Sequence, residues 1–170
     1  GRCFQCGAWD SIEAIISREK DQGYAASSAA EGVQLSSIQP QDTPRMDTGW
    51  HELNRVLGGG LVPGSVLLLG GDPGVGKSTL LLQMLCRLSK STSTLYVSGE
   101  ESPQQIALRA QRMQVSLDTS YLLTHTDVAV IIATIKAQKA RLVIIDSIQT
   151  MASSEVSAAA GSVSQVRECA

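Results

Sequence analysis

The chain has 170 residues, a formal net charge of −2 from 14 basic and 16 acidic side chains, and 43% hydrophobic residues with only 4% aromatic. That length holds one core domain plus a tail, and the aliphatic bias suits a parallel sheet buried on both faces. The near balance of charge marks no strong nucleic-acid surface. No apolar run approaches the ~18–20 residues of a membrane span, and the N-terminus shows no charged-then-apolar leader, so the cytoplasm is the expected location.

Residues 1–19 read as a partial zinc-knuckle segment. Cys3-Phe4-Gln5-Cys6 is a Cys-x-x-Cys pair, and structural zinc takes four ligands in a tetrahedron, commonly from two such pairs. Cys86 falls inside a helical pattern and reads as a buried structural thiol. Cys169, His51 and His125 stand singly in the sequence. Cys3 and Cys6 read as half a zinc site; a redox pair stays open as the alternative, although the usual βαβ surroundings are lacking. Residues 20–44, rich in Ser, Ala, Gln and Gly, read as a linker. The core is expected over residues 45–170, starting with a helix from His51 to Leu57 that Gly58-Gly59-Gly60 ends.

The next segment carries the strongest signal. Gly71-Asp72-Pro73-Gly74-Val75-Gly76-Lys77-Ser78-Thr79 fills G-x-x-x-x-G-K-[ST] at every fixed position. The apolar run Val66–Leu69 precedes it as an expected strand, and a helix is expected from Lys77 to Ser89, which is the strand–loop–helix context of a P-loop. Glycines let backbone N–H groups reach phosphate oxygens with no Cβ in the way, and a helix N-terminus favours the same anion. Lys77 reaches for the β- and γ-phosphates of ATP, Ser78 offers its hydroxyl to Mg²⁺, and Thr79 steadies the loop from behind.

A second expected strand, Leu95–Ser98, ends at Gly99-Glu100-Glu101. A carboxylate at such a strand end can orient and deprotonate the attacking water. Glu100 is the expected base, with Glu101 as the competing choice. Ser102-Pro103-Gln104-Gln105 reads as a capping box with proline at the first helical position, opening a helix from Pro103 to Met113. A strand at Tyr121–Leu123 and a helix at Val128–Gln138 follow. Leu142-Val143-Ile144-Ile145-Asp146 is then a buried strand whose terminal carboxylate sits where open α/β sheets bind ligands, and Asp146 is the expected Walker B residue, holding Mg²⁺ through a water. Lys136, Lys139 and Arg141 read as a solvated helix end, and 153–161 as a small-residue-rich mobile segment. The alternation of strand and helix predicts an α/β fold with a mainly parallel sheet.

Taken together, Leu57–Ser65, the P-loop, and Tyr96-Val97-Ser98-Gly99-Glu100-Glu101-Ser102 resemble the RecA-type P-loop ATPases, and within them the bacterial DNA-repair RadA (Sms) family. Thr48-Gly49, Glu52-Leu53, Arg55-Val56 and Gly161–Cys169 fit as well, and the likeness covers nearly the whole chain. Asn54 departs from the family's usual aspartate. The resemblance implies a RecA-like core, a DNA-dependent ATPase of recombinational repair acting on single-stranded or branched DNA, and a homo-oligomeric ring (a hexamer), with a recombinase as partner and no membrane. It also implies that a second cysteine pair completes the zinc site upstream.

In such cores further strands follow the Walker B strand and a protease-like domain comes after them, whereas 24 residues follow Asp146. The chain is thus expected to be a fragment, with the N-terminal part of the ATPase domain. In the family the Walker B strand lies between the P-loop strand and the glutamate-bearing strand. With nothing on its other side, Val66–Leu69 is expected to be an exposed, sticky edge. Two other readings stay open: another RecA-superfamily motor, discriminated by the cysteine knuckle and Gly161–Cys169, and a shortened chain that binds nucleotide without turnover. A small-molecule kinase fits less well, because the glutamate pair suits water activation and no arginine-rich lid is evident.

Overall fold

The computed structural model describes residues 32–38, 44–116 and 120–170. The chain divides into two units, Gly1–Gln41 and Asp42–Ala170. In the first, a single 3-10 turn, Leu35–Ser37, is described. The zinc-knuckle segment 1–19, with Cys3 and Cys6, and most of the linker fall outside the described residues.

The second unit is built on a parallel sheet of β1 (Thr94–Ser98), β2 (Ser120–Leu123) and β3 (Leu142–Asp146), in the order β2-β1-β3. Its helices are α1 (His51–Val56), α2 (Lys77–Leu88), α3 (Pro103–Arg112), α4 (Val128–Gln138) and α5 (Val163–Cys169). All five residues of β1 are buried, as a central strand covered on both faces must be. Side chains alternate between those faces. Tyr96 and Ile144 pack with Leu82, Leu85 and Ile106 of α2 and α3. Leu95 and Val97 pack on the opposite side with Ile131 of α4 and with Met151. This is the expected α/β arrangement, a parallel sheet with helices on both faces and the architecture of a RecA-like P-loop core.

Local chemistry sets the helix ends. Ser102 and Gln105 form the reciprocal capping box, Ser102 N–H donating to Gln105 Oε1 at 2.8 Å and Gln105 N–H to Ser102 Oγ at 3.4 Å. Asp127 caps α4 by accepting from Ala129 N at 2.8 Å. Ahead of the P-loop, Met46 and Leu61 form an antiparallel bridge and Arg87 of α2 stacks 4.2 Å from the centroid of Trp50, a cation–π contact. Asn54 is held in place by its amide. Its Oδ1 accepts from Thr48 N and Oγ1, and its Nδ2 donates to Asp47 Oδ1 at 2.5 Å. A carboxylate at position 54 could not make that last bond.

Two expectations need correction. Val66–Leu69 is not a strand. It makes no ladder with any described residue, and Val66 and Leu68 are 91% and 89% exposed. β-propensity is realised only when the backbone finds a partner edge and the side chains a surface to pack on, and this run has neither. β3 does neighbour β1, as expected of the Walker B strand, but its other edge carries no partner among the described residues. The second correction concerns 153–161. Gln165, 3% exposed, donates through Nε2 to the carbonyls of Ser153, Val156 and Ala158 and accepts from Ser153 N through Oε1. One buried amide on α5 thus gathers that segment.

Candidate nucleotide site

Because the strands are parallel, their carboxyl ends lie together, which is where such sheets bind ligands. At the end of β1 stand Ser98, Gly99, Glu100 and Glu101, and at the end of β3 stand Asp146 and Ser147. Ser98 is in register with Asp146, Gly99 N–H donates to Asp146 O at 3.1 Å, and Ser147 Oγ donates to Glu100 Oε1 at 2.9 Å. The residue that follows Asp146 thus reaches Glu100 across the β1–β3 pair. Gly99 is required by close approach: a Cβ there would stand 1.9 Å from Thr150 Oγ1 and 2.6 Å from Thr150 Cβ.

The glutamates differ in their engagement. Glu101 is ion-paired with Arg109 of α3, both side chains 28% exposed, and its backbone N–H donates to Ser98 Oγ at 3.0 Å. Glu100 is exposed, touched by Ser147, and lines a cleft of about 380 Å³ with Thr124, His125 and Thr126 from the end of β2. Glu101 lines the same cleft, and Glu100 is the more exposed of the two.

Asp146 points to the α2 side of the sheet. Its Oδ2 accepts from the hydroxyl of Tyr96, whose ring packs in the cluster that α2 forms with the sheet. Burial, and then the hydrogen bond and charge of Asp146, hold the Tyr96 hydroxyl well above the usual phenol range, so it is a neutral donor. The P-loop leads into α2 on that same side. Gly76, at φ +102°, is the N-cap of α2, and Gly74 has φ +80°, backbone that glycine adopts without a Cβ penalty. Lys77 Nζ donates to Gly71 O at 2.7 Å and Asp72 O at 2.9 Å, so its ammonium rests inside the curl of the loop. Ser78 and Thr79 are half-buried in the first turn of α2.

The AAA domain family matches residues 34–169. The chain belongs to that family. It is also 46% identical to the DNA repair protein RadA of Haemophilus influenzae over 177 residues, which is 100% of this chain and 39% of that protein. Against the DNA repair protein RadA of Escherichia coli it is 46% identical over 100% of the chain and 39% of the relative. For Bacillus subtilis the values are 46%, 99% and 38%. The chain thus spans about two fifths of the length of these relatives, and it is a member of a P-loop ATPase family whose relatives carry the name of DNA repair.

Within this AAA domain, Mg²⁺ fits the donor set. Asp146 and Ser78 offer hard oxygen ligands, and Mg²⁺ in nucleotide sites takes one or two protein oxygens with phosphates and waters completing its shell. Among the described residues no group of three or more His, Cys, Asp or Glu could hold a metal. Cys3 and Cys6 lie outside the described residues. No helix among the described residues is long and apolar enough to cross a membrane. Sequence reasoning missed Tyr96, Ser147 and Arg109. The contacts of Tyr96 and Ser147 depend on which strands are neighbours, and only the register of β1 on β3 puts a core tyrosine beside the aspartate; the Arg109–Glu101 pair forms within the segment from β1 to α3.

Proposed function

We propose that this chain is part of a DNA-dependent ATPase that acts in recombinational DNA repair, hydrolysing ATP with Mg²⁺ at the P-loop. The observation that carries it is the pairing of β1 with β3, which brings Glu100 and Asp146 to one end of the sheet, with Ser147, next after Asp146, donating to Glu100, beside the face on which the P-loop helix packs.

Each residue has a task. Backbone N–H groups of Gly71, Gly74, Gly76 and Lys77, with Asp72, Pro73 and Val75 shaping the curl, cradle the phosphates, and Thr79 steadies the loop. Lys77 leaves its loop carbonyls for the β- and γ-phosphate oxygens. Mg²⁺, when bound, supplies charge to the developing leaving group, with the Ser78 hydroxyl as ligand and Asp146 acting through a water. Glu100 takes a proton from the attacking water as its oxygen bonds to the γ-phosphorus, and the bond from that phosphorus to the β–γ bridging oxygen breaks, leaving ADP. A place in DNA repair is supported by the names of the relatives, and DNA as activator rests on the resemblance alone. The homo-oligomeric ring, the recombinase partner, the cytoplasmic location and zinc at Cys3 and Cys6 rest on the resemblance alone.

The test uses the full-length protein. Lys77→Ala is expected to abolish ATP binding, and Glu100→Gln to keep binding while lowering DNA-stimulated turnover by at least ~10²-fold. Glu101→Gln is expected to retain most turnover. Undiminished ATP binding by Lys77→Ala would overturn the assignment. For the 170-residue chain by itself a second reading, binding without turnover, is favoured by Val66–Leu69 standing outside the sheet, which leaves the loop unanchored on its upstream side. ATP hydrolysis by that chain at the full-length rate would remove this second reading.

A further inference from the structure

A tyrosine in the middle of a core strand is not needed for packing, since phenylalanine fills the same space. Its hydroxyl is a liability there unless it finds a partner. Tyr96 is 3% exposed and sits opposite Ile144 in the β1–β3 register. Asp146 is two residues beyond Ile144 on the same face, within reach of the ring's far end, and there the hydroxyl donates to Asp146 Oδ2.

We propose that Tyr96 is a positioning residue for Asp146, fixing the rotation of its carboxylate so that the oxygen not bound by the hydroxyl is presented to the hydration shell of the nucleotide-bound Mg²⁺. This rests on the cation role of Asp146 given above. A carboxylate has two equivalent oxygens and a broad terminal torsion. With Oδ2 held by a donor anchored in the packed sheet, the remaining oxygen has one direction rather than many. Groups that orient a metal's ligands in this way typically change metal affinity or activity by roughly 10–100-fold when removed.

The test compares full-length protein with Tyr96→Phe, Asp146→Asn and the double variant, using two readouts. The first is the affinity for a fluorescent ATP analogue titrated at a series of Mg²⁺ concentrations. The second is the thermal melting temperature without nucleotide. Tyr96→Phe is expected to raise the Mg²⁺ concentration for half-maximal analogue binding by roughly 10-fold, to leave the Mg²⁺-free affinity unchanged, and to melt within a few degrees of the parent. Added to Asp146→Asn it is expected to produce no further shift. An unchanged Mg²⁺ dependence in Tyr96→Phe, alongside a shift in Asp146→Asn, overturns the proposal and leaves the function of the site intact. No shift in Asp146→Asn overturns the cation role itself. Loss of folding in Tyr96→Phe overturns the proposal too, because the hydroxyl would then serve the sheet rather than the carboxylate.

Discussion

Gly99 shows how one missing Cβ holds the site together. Alanine there collides with Thr150, whose Oγ1 donates to Ser147 O at 2.8 Å, so the turn that presents Ser147 to Glu100 must move. Gly99→Ala is expected to cost roughly 1–3 kcal/mol of stability and to reduce turnover at least ~10-fold; a urea melt and an ATPase assay on the full-length protein check both. Asp47 gives a pH signature. The hydrogen bond from Asn54, and then that from Gly49 N–H, hold its carboxyl below the usual 3.8. A carboxyl depressed on folding contributes stability that is present above the unfolded value and lost as pH falls through the folded one. Asp47→Asn should therefore lie furthest below the parent in melting temperature at neutral pH and converge with it below about pH 4. Parallel curves down to about pH 3 would show that the carboxylate charge plays no part.

At the scale of elements, α2 joins loop to sheet. Leu82 and Leu85, 1% and 0% exposed, pack against β1 and β3, so the helix that displays the loop cannot tilt without opening the core. Leu85→Ala is expected to cost about 2–5 kcal/mol, with nucleotide affinity falling alongside stability. α3 depends on its capping box, and Ser102→Ala should cost about 1 kcal/mol by denaturant melting; because Ser102 lies directly after Glu101, a change in turnover larger than that in stability would show that the cap also holds the glutamate turn. The extents of α4 and β3 follow from sequence pattern almost residue for residue, since apolar runs bounded by Asp127 and by Asp146 leave little choice. α5 escaped that reading: its short, mixed pattern Val163–Cys169 forms a helix capped by Ser162, and Gln165 becomes visible as an anchor only once the 153–158 carbonyls converge on it.

At the scale of the molecule, the exposed run Val66–Leu69 and the edge of β3 that has no partner among the described residues are the same problem seen from two sides. Apolar side chains left in water and an open ladder both invite intermolecular pairing. The 170-residue chain is expected to self-associate with rising concentration, measured by sedimentation. A concentration-independent monomer with a sharp urea transition would contradict this. Ligand linkage gives a second whole-molecule outcome: MgATP at 100 times its Kd should stabilise the full-length protein by ~2.7 kcal/mol, and Lys77→Ala should lose that increment without losing the fold.

What the sequence determined by itself is chemistry that is local in the chain. The P-loop, the capping box, the strand-end positions of Glu100 and Asp146 and most helix limits depend on residues within a few positions of each other, where spacing and geometry are coupled directly. The tertiary structure alone decided what depends on long-range pairing. It joined Ser147 to Glu100 across 47 positions and aimed Tyr96 at Asp146 across 50. It also left Val66–Leu69 unpaired despite its β-rich composition, because a strand is a property of two neighbours, and sequence pattern reports on only one of them.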